Sequence, residues 1–316
     1  MATAVSTAQA VPRTSRPFDG FKWVVGIIAA TAPAALILIT LTLWQKAVPA
    51  IQQFGLHFVV GTDWNPVTDQ FGALPAIFGT LATSLMALAL ALPVGVAVAV
   101  VLVEPGQGRI RGAIGIGIEL LAAIPSVVYG IWALYVLAPW AYEHLETPIS
   151  EHTGNVGLFS DPAPRGLLTA ALVLAVMILP TLTAISRDVI RAVPRGLKEN
   201  AVALGATWWE TTWKVILPSA RTGIFGATIL ALGRALGETI AVTMVIGNAY
   251  VIPHSIFQPA YTLSAVIANE FSEATGTIYP AALIELGLIL IVVTLVLNIF
   301  AVILVQSTSR EARLTA

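Results

Sequence analysis

The 316-residue chain is 57% hydrophobic and only 10% charged, under half of the roughly 25% charge content of soluble domains, and its mean hydropathy is +0.86. So few charges cannot clothe a water-soluble surface, and the bilayer is the solvent for most of this sequence. A formal net charge of −1, from 16 basic and 17 acidic residues, offers no footprint for nucleic acid. The absence of Cys removes disulfides, thiolate metal sites and Cys nucleophiles together.

Residues 1–22 are polar and rich in Ala, Ser and Thr, the pattern of a tail. Ala8-Gln9-Ala10 has the small-x-small look of a cleavage site, but it precedes the apolar run, and 22 apolar residues exceed a signal-peptide core of about 7–15. The first span therefore reads as an anchor. Six apolar stretches reach the length of about 20 residues that a crossing needs: 23–44, 75–103, 113–140, 166–186, 222–247 and 279–306. Pro93 and Pro125 fall inside the second and third, where each removes a helix hydrogen bond and predicts a kink. The organisation expected is a cytoplasmic tail over 1–22, a first transmembrane helix and external loop over 23–74, a transmembrane domain over 75–306 with a cytoplasmic segment at 187–221, and a cytoplasmic tail over 307–316. The fold class is all-α: a polytopic membrane bundle of six helices.

Orientation follows from the basic residues. The tails and segments 104–112 and 187–221 hold thirteen Lys and Arg, whereas 45–74, 141–165 and 248–278 hold only Lys46 and Arg165. That asymmetry predicts both termini in the cytoplasm of a multi-pass inner or plasma membrane protein.

The segment 187–221 is long, basic and patterned. Pro194 can open a short helix, Gly205 interrupts it, and Pro218 is expected to close the segment before the fifth span. Trp208, Trp209 and Trp213 alternate with Glu210, Thr211, Thr212 and Lys214. This pattern suits either an interfacial amphipathic helix or a docking surface for a soluble partner. Glu199-Asn200-Ala201, then Gly205, then Val215, Leu217 and Pro218 resembles the EAA loop of binding-protein-dependent ABC importer permeases. Asn200 departs from the usual Ala and Val215 from the usual Ile. The resemblance implies a type I ABC importer permease fold and a coupling helix seated in a cleft of an ATPase subunit, with Glu199, Ala201, Gly205, Leu217 and Pro218 as coupling residues. A small-residue face at Ala201, Ala203 and Gly205 would allow close approach, and Glu199 near a helix start favours the dipole. None of the four lysines is followed by Ser or Thr, so the P-loop route to ATP is closed to this chain. ATP and Mg would belong to a partner ATPase, and no cofactor or metal is expected here.

Glu119, Glu285, Glu238 and Arg234 fall inside expected spans. Ionised groups near the bilayer centre cost at least about 2.5–3.5 kcal/mol on insertion scales, so they are expected to face an interior or a wet path. Arg234 and Glu238 are four apart, on one face of a continuous helix, and Gly233 and Gly237 share that spacing, a notch for a neighbouring helix. The competing reading is an intrahelical ion pair that only specifies packing. The run Gly233-Arg234-Ala235-Leu236-Gly237-Glu238-Thr239 resembles the permeases of phosphate ABC importers. Trp64-Asn65-Pro66-Val67 with Phe71-Gly72-Ala73-Leu74-Pro75, and Ala123-Ile124-Pro125-Ser126-Val127-Val128-Tyr129-Gly130, are similar to the PstC type of these permeases, as against the sister PstA type. The resemblance implies Arg234, Glu238 and Thr239 on the substrate path. It also implies phosphate as cargo, a homologous PstA-like second permease, two PstB-like ATPase subunits and an external PstS-like phosphate-binding protein. Other classes fit less well. A permease for sulfate or molybdate would share the EAA segment. An ion-coupled secondary transporter has no motor to dock and would show internal repeats, which are not found. An intramembrane enzyme finds no support in four His residues without metal-binding spacing, so no catalytic residue is expected.

Overall fold

A computed structural model describes residues 20–103 and 108–314, with side chains described as far as residue 303. The chain runs α1 (Gly20–Phe54), α2 (His57–Val60), a two-stranded hairpin of β1 (Trp64–Asn65) and β2 (Gln70–Phe71), α3 (Leu74–Val103), α4 (Arg109–Ala123) and α5 (Ser126–His152). It continues with α6 (Leu167–Arg191), α7 (Arg195–Ala203), α8 (Trp208–Gly237), α9 (Ile240–Val245), α10 (Leu263–Glu270) and α11 (Ile278–Leu314). Among the described residues, α1, α3, α6, α8 and α11 are each long and apolar enough to cross a membrane. The pair α4 and α5 passes the same test when taken together, bent by 100° at its break, and makes a sixth if it is one span.

α6 is the central post, with 61% of its most apolar window buried inside the protein against none of α1's. α3 lies along it as the most extensive helix pair. Ala87, Ala91, Gly95 and Ala99 recur every four residues on α3 and are all buried, a small-residue ridge that lets backbones approach closely. At Gly95 a Cβ would stand 2.9 Å from Leu182 Cδ2 of α6, so a larger residue there would require the Leu182 side chain to shift. One end of the bundle is closed by Phe58, Phe71, Ala76, Leu263 and Leu283. The opposite end is closed by Ala99, Ile190, Ile216 and Ala220.

Several expectations are corrected. Hydropathy marked 113–140 as one crossing with a kink, but Pro125 breaks it outright. Ile124 is held extended (φ −72°, ψ 128°), as the residue before a proline prefers. The fifth crossing ends at Gly237, ten residues before the expected boundary at 247; the apolar run 240–245 is the separate helix α9. Pro218 does not close the cytoplasmic segment. It lies inside α8, and the turn Thr212–Ile216 widens to π geometry, with the Leu217 N–H donating to the Thr212 carbonyl. That register shift absorbs the bond Pro218 cannot make. Helix also extends into the expected external segments, to Phe54 and to His152, and α11 runs on to Leu314 through most of the expected tail. The tail over 1–19 lies outside the described residues.

Candidate functional site

Two interrupted helices meet beside α6. At the first break Tyr129, buried on the opening turn of α5, donates its hydroxyl to the Leu121 carbonyl of α4 at 2.7 Å. This satisfies one of the carbonyls that the end of α4 leaves without an intrahelical donor. At the second break Glu238 is extended (φ −69°, ψ 128°). Its carbonyl accepts from Ser264 Oγ at 3.0 Å, and its Oε1 accepts a long 3.5 Å contact from the Ala241 N–H at the start of α9. α5 and α9 then pack backbone to backbone. A Cβ on Gly130 would stand 2.5 Å from Met244 Sδ and 3.1 Å from Ala241 Cα. The two half-helices therefore form one unit just past both breaks.

Arg234 sits on the last turn of α8, exposed, with one guanidinium nitrogen donating to Thr181 Oγ1 of α6 at 3.3 Å. Tyr129 lies within electrostatic range of it. The expected face-sharing of Arg234 and Glu238 is corrected: α8 ends between them, and among the described residues the two form no ion pair. Gly237 has low helix propensity and Thr239 is β-branched, and the Glu238 carboxylate offers the first turn of α9 a side-chain acceptor. Arg234, Glu238 and Thr239 thus remain neighbours at a break instead of ridge-mates on a helix. Thr239 Oγ1 donates to the Gly237 carbonyl at 3.3 Å. Tyr129 and Thr181 carried no assigned role in the sequence reading. Tyr129 stood in the quoted run around Pro125, whereas nothing local marks Thr181, whose partner is 53 residues away. The other intramembrane carboxylates divide. Glu119 is exposed on α4, while Glu285 is 7% exposed on α11 with Oε2 unpartnered. Sequence reasoning placed Glu146 in an external loop. It is fully buried near the end of α5 and accepts from Thr169 Oγ1 at 3.1 Å.

At the end of the bundle that carries the basic segments, α7 stops in a Schellman turn. The Ala206 N–H donates to the Ala201 carbonyl at 3.0 Å and the Gly205 N–H to the Val202 carbonyl at 2.9 Å. Gly205 has φ +86°, a conformation in which any L side chain is strained. Gly205 is therefore set by the turn itself before any partner is considered. Ala201 is buried against its own chain, whereas Glu199 and Pro218 are exposed and Leu217 is half-buried. The outward apolar groups of α7 and its cap are Leu197, Val202 and, at 90% exposure, Leu204. These the sequence reading missed, although two leucines seven apart in a polar segment were the available signal. The next helix opens with a capping box: Thr207 Oγ1 accepts from the Glu210 N–H and Glu210 accepts from the Thr207 N–H.

At the other end, the Trp64-Asn65-Pro66-Val67 run forms the hairpin. Asn65 Oδ1 accepts from the Val67 N–H at 3.0 Å, a side-chain turn typical of Asn. Glu270 Oε2 then clamps the hairpin to α11, accepting from Trp64 Nε1 at 2.6 Å and from Tyr279 OH at 2.7 Å. Tyr250 stacks on Trp64 at 5.1 Å and donates to the Gly72 carbonyl. Burial, and then the charge of Glu270, push its phenol well above the usual value, so it stays a donor.

Residues 91–310 match the family described as binding-protein-dependent transport system inner membrane component. The chain belongs to this family. Phosphate transport system permease proteins named PstC are 45% identical in Mesorhizobium japonicum (98% of this chain, 99% of that protein) and 46% identical in Pasteurella multocida (82% and 83%). PstC 1 of Mycobacterium tuberculosis is 40% identical over 94% of this chain and 95% of that protein. Among solved structures, a bacterial alginate ABC transporter aligns with TM-score 0.58 at 17% identity, covering 91% of this chain and 96% of that chain. The inward-facing MetNI methionine ABC transporter aligns with TM-score 0.55 at 18% identity, covering 73% and 94%. These identities establish the ABC importer permease fold and nothing finer. The chain is thus a multi-pass inner-membrane component of a binding-protein-dependent transport system.

Proposed function

We propose that this permease is the PstC-type subunit of an ATP-driven inorganic phosphate importer and forms half of the translocation path. The observation that carries the proposal is Arg234: an exposed guanidinium at the junction of two broken spans, held by one hydroxyl and by no carboxylate among the described residues. The likeness to PstC proteins over nearly the whole chain supports phosphate as the cargo. A PstA-like permease would complete the path, two PstB-like ATPases would dock at α7 and bind the ATP and Mg, and a PstS-like protein would deliver phosphate at the hairpin end. The distribution of basic residues supports an orientation with α7 and both termini in the cytoplasm. The test is reconstitution: with those partners in liposomes, the expected result is phosphate uptake that requires ATP and the binding protein. Uptake by the chain alone without ATP would point to a secondary transporter and sink the proposal.

Glu238 refines the choice of anion. Monohydrogen phosphate still has a proton to donate at neutral pH and sulfate has none, so a carboxylate at the break accepts from the former and repels the latter. The 3.5 Å contact from Ala241 is weak and leaves the carboxylate available. Glu238→Gln is expected to lower phosphate flux and narrow the discrimination against sulfate, read by competition in the same liposomes. Normal flux with sulfate still excluded would confine Glu238 to capping α9.

A further inference from the structure

α4 sets a carboxylate, Glu119, on a face that no other part of the described chain covers. Gly112, Ala113, Ile116, Glu119, Leu120 and Ala123 follow one another at helical spacing along one side of the helix, and all are exposed. Ile114, Ile118 and Leu121 on the other side are half-buried, and Leu121 packs against the main core. Glu119 lies ten residues beyond Arg109, the first residue of α4, or about 15 Å at 1.5 Å per residue. That is half of a hydrocarbon core roughly 30 Å thick. A charge at such a depth is costly against lipid and faces protein or a water-filled cavity instead. Among the described residues Glu119 forms no ion pair. Ile116 and Leu120 flank it at 60% and 62% exposure, which suits a helix contact better than a wet wall. A Cβ on Gly112 would meet nothing within 4 Å, so the backbone there is open to the close approach that small residues permit between membrane helices.

We propose that this face of α4 is the contact with a second, non-identical permease, which sets a Lys or Arg opposite Glu119 near the middle of the membrane. The inference rests on the reading of this chain as half of the translocation path. A second copy of this chain is the poorer occupant. A two-fold contact brings the same face to itself, and the six exposed residues of this one include a carboxylate and no cation. Two carboxylates would then lose their water with no opposite charge to replace it. A cation on a different partner removes that cost, and a low-dielectric setting strengthens the pair. The pair also fixes register, because a slip of one turn leaves both charges unmatched at membrane depth. Its place in the fold matters as well. Glu119 stands two residues before Leu121, whose carbonyl accepts the Tyr129 hydroxyl across the break between α4 and α5. The contact therefore adjoins the junction that carries Arg234.

The experiment uses the assembled transporter in nanodiscs, with a photoreactive phenylalanine analogue replacing Leu120 and Glu119 left intact. Light is expected to join this chain to the second permease. Mass spectrometry of the joined peptide is expected to place the bond in a membrane span that carries Lys or Arg. In a separate preparation, Glu119→Gln should lower recovery of the second permease from mild detergent about tenfold or more, the scale for removing one partner of a buried charge pair. Glu119→Lys sets two cations against each other and should lower it at least as far, with the chain still inserted in the membrane. Adducts to lipid alone, to a second copy of this chain or to a polypeptide other than a permease would overturn the proposal, as would no adduct. So would a joined span without Lys or Arg, or full recovery with Glu119→Lys. The adduct is read on a chain that keeps Glu119, so it decides the question even if either variant fails to assemble. Phosphate uptake by the parent complex reports the proposed cargo separately, so the two readings can fail independently.

Discussion

Leu204→Glu is expected to uncouple the permease from its ATPase while leaving its own fold intact. Leu204 caps α7 with 90% of its surface exposed and follows a helix whose Ala201 is turned inward. Within the chain it makes little that a carboxylate would spoil, and a substitution at such a position usually changes stability by no more than about 0.5 kcal/mol. In a docked complex the same leucine would be buried, and losing that burial costs about 1.5–3 kcal/mol before the desolvation of a charge is counted. Tenfold or greater weakening of ATPase association is the expected reading in a pull-down from mild detergent, with loss of phosphate-stimulated ATP hydrolysis. Membrane insertion and thermal stability of the variant should match the parent. Full ATPase recovery and normal hydrolysis would move the docking surface elsewhere. A bulky residue at Gly205 is a poorer probe, because φ +86° makes any side chain there strain the Schellman turn whether or not a partner binds.

How far the sequence carried this reading differs by element. The crossing of α3 was legible nearly to the residue and the start of α6 to within one, because a long apolar run bounded by charge or Gly leaves the chain few alternatives, whereas α6 runs on to Arg191, five residues past the expected end at 186. The break at Pro125 was foreseen as a kink. Its 100° size was not, because it depends on α5 finding a seat on α9, and Gly130 shows that seat only once Met244 and Ala241 are beside it. The end of α8 was misplaced for a related reason. Hydropathy runs smoothly through Leu236 to Val245, while the backbone breaks at Glu238, where Ser264 and Ala241 supply hydrogen bonds from outside α8. Averages over a window cannot see a two-residue break. Pro218 fails in the opposite direction: a local rule ended a helix that a π turn allows to continue. The EAA spacing marked the place of the short helix α7, but not its outward face, since the small residues singled out there include one that packs inward. Arg234 was legible as chemistry, and its partner was not. Four-residue spacing implies an ion pair only if the helix continues.

Arg234→Gln is expected to abolish phosphate uptake while the complex still assembles. A phosphate crossing a low-dielectric region must exchange its hydration for groups nearly as good. A guanidinium supplies a planar fork of donors and keeps its charge when desolvated. Each charge-assisted hydrogen bond is worth roughly 1.5–3 kcal/mol, so losing two lowers uptake by more than about a hundredfold. The fold has little to lose, because Arg234 is exposed and its one hydrogen bond, to Thr181, is a long 3.3 Å. Arg234→Lys keeps the charge and loses the fork, and is expected to fall between parent and Gln variant. Thr181→Val removes the hydroxyl that steadies the guanidinium. It should reduce uptake modestly, and a loss as large as that of Arg234→Gln would mean that the Arg–Thr contact, not anion binding, is what matters. Reversing the charges, Arg234→Glu with Glu238→Arg, distinguishes a path from a packing element. The two side chains lie on either side of a helix end and form no ion pair among the described residues, so a swap places the cation at a new position on a differently directed backbone. Uptake should stay lost. Restored transport in the swapped permease would make the pair a structural clasp, and the anion would then have to find its cation elsewhere on the path.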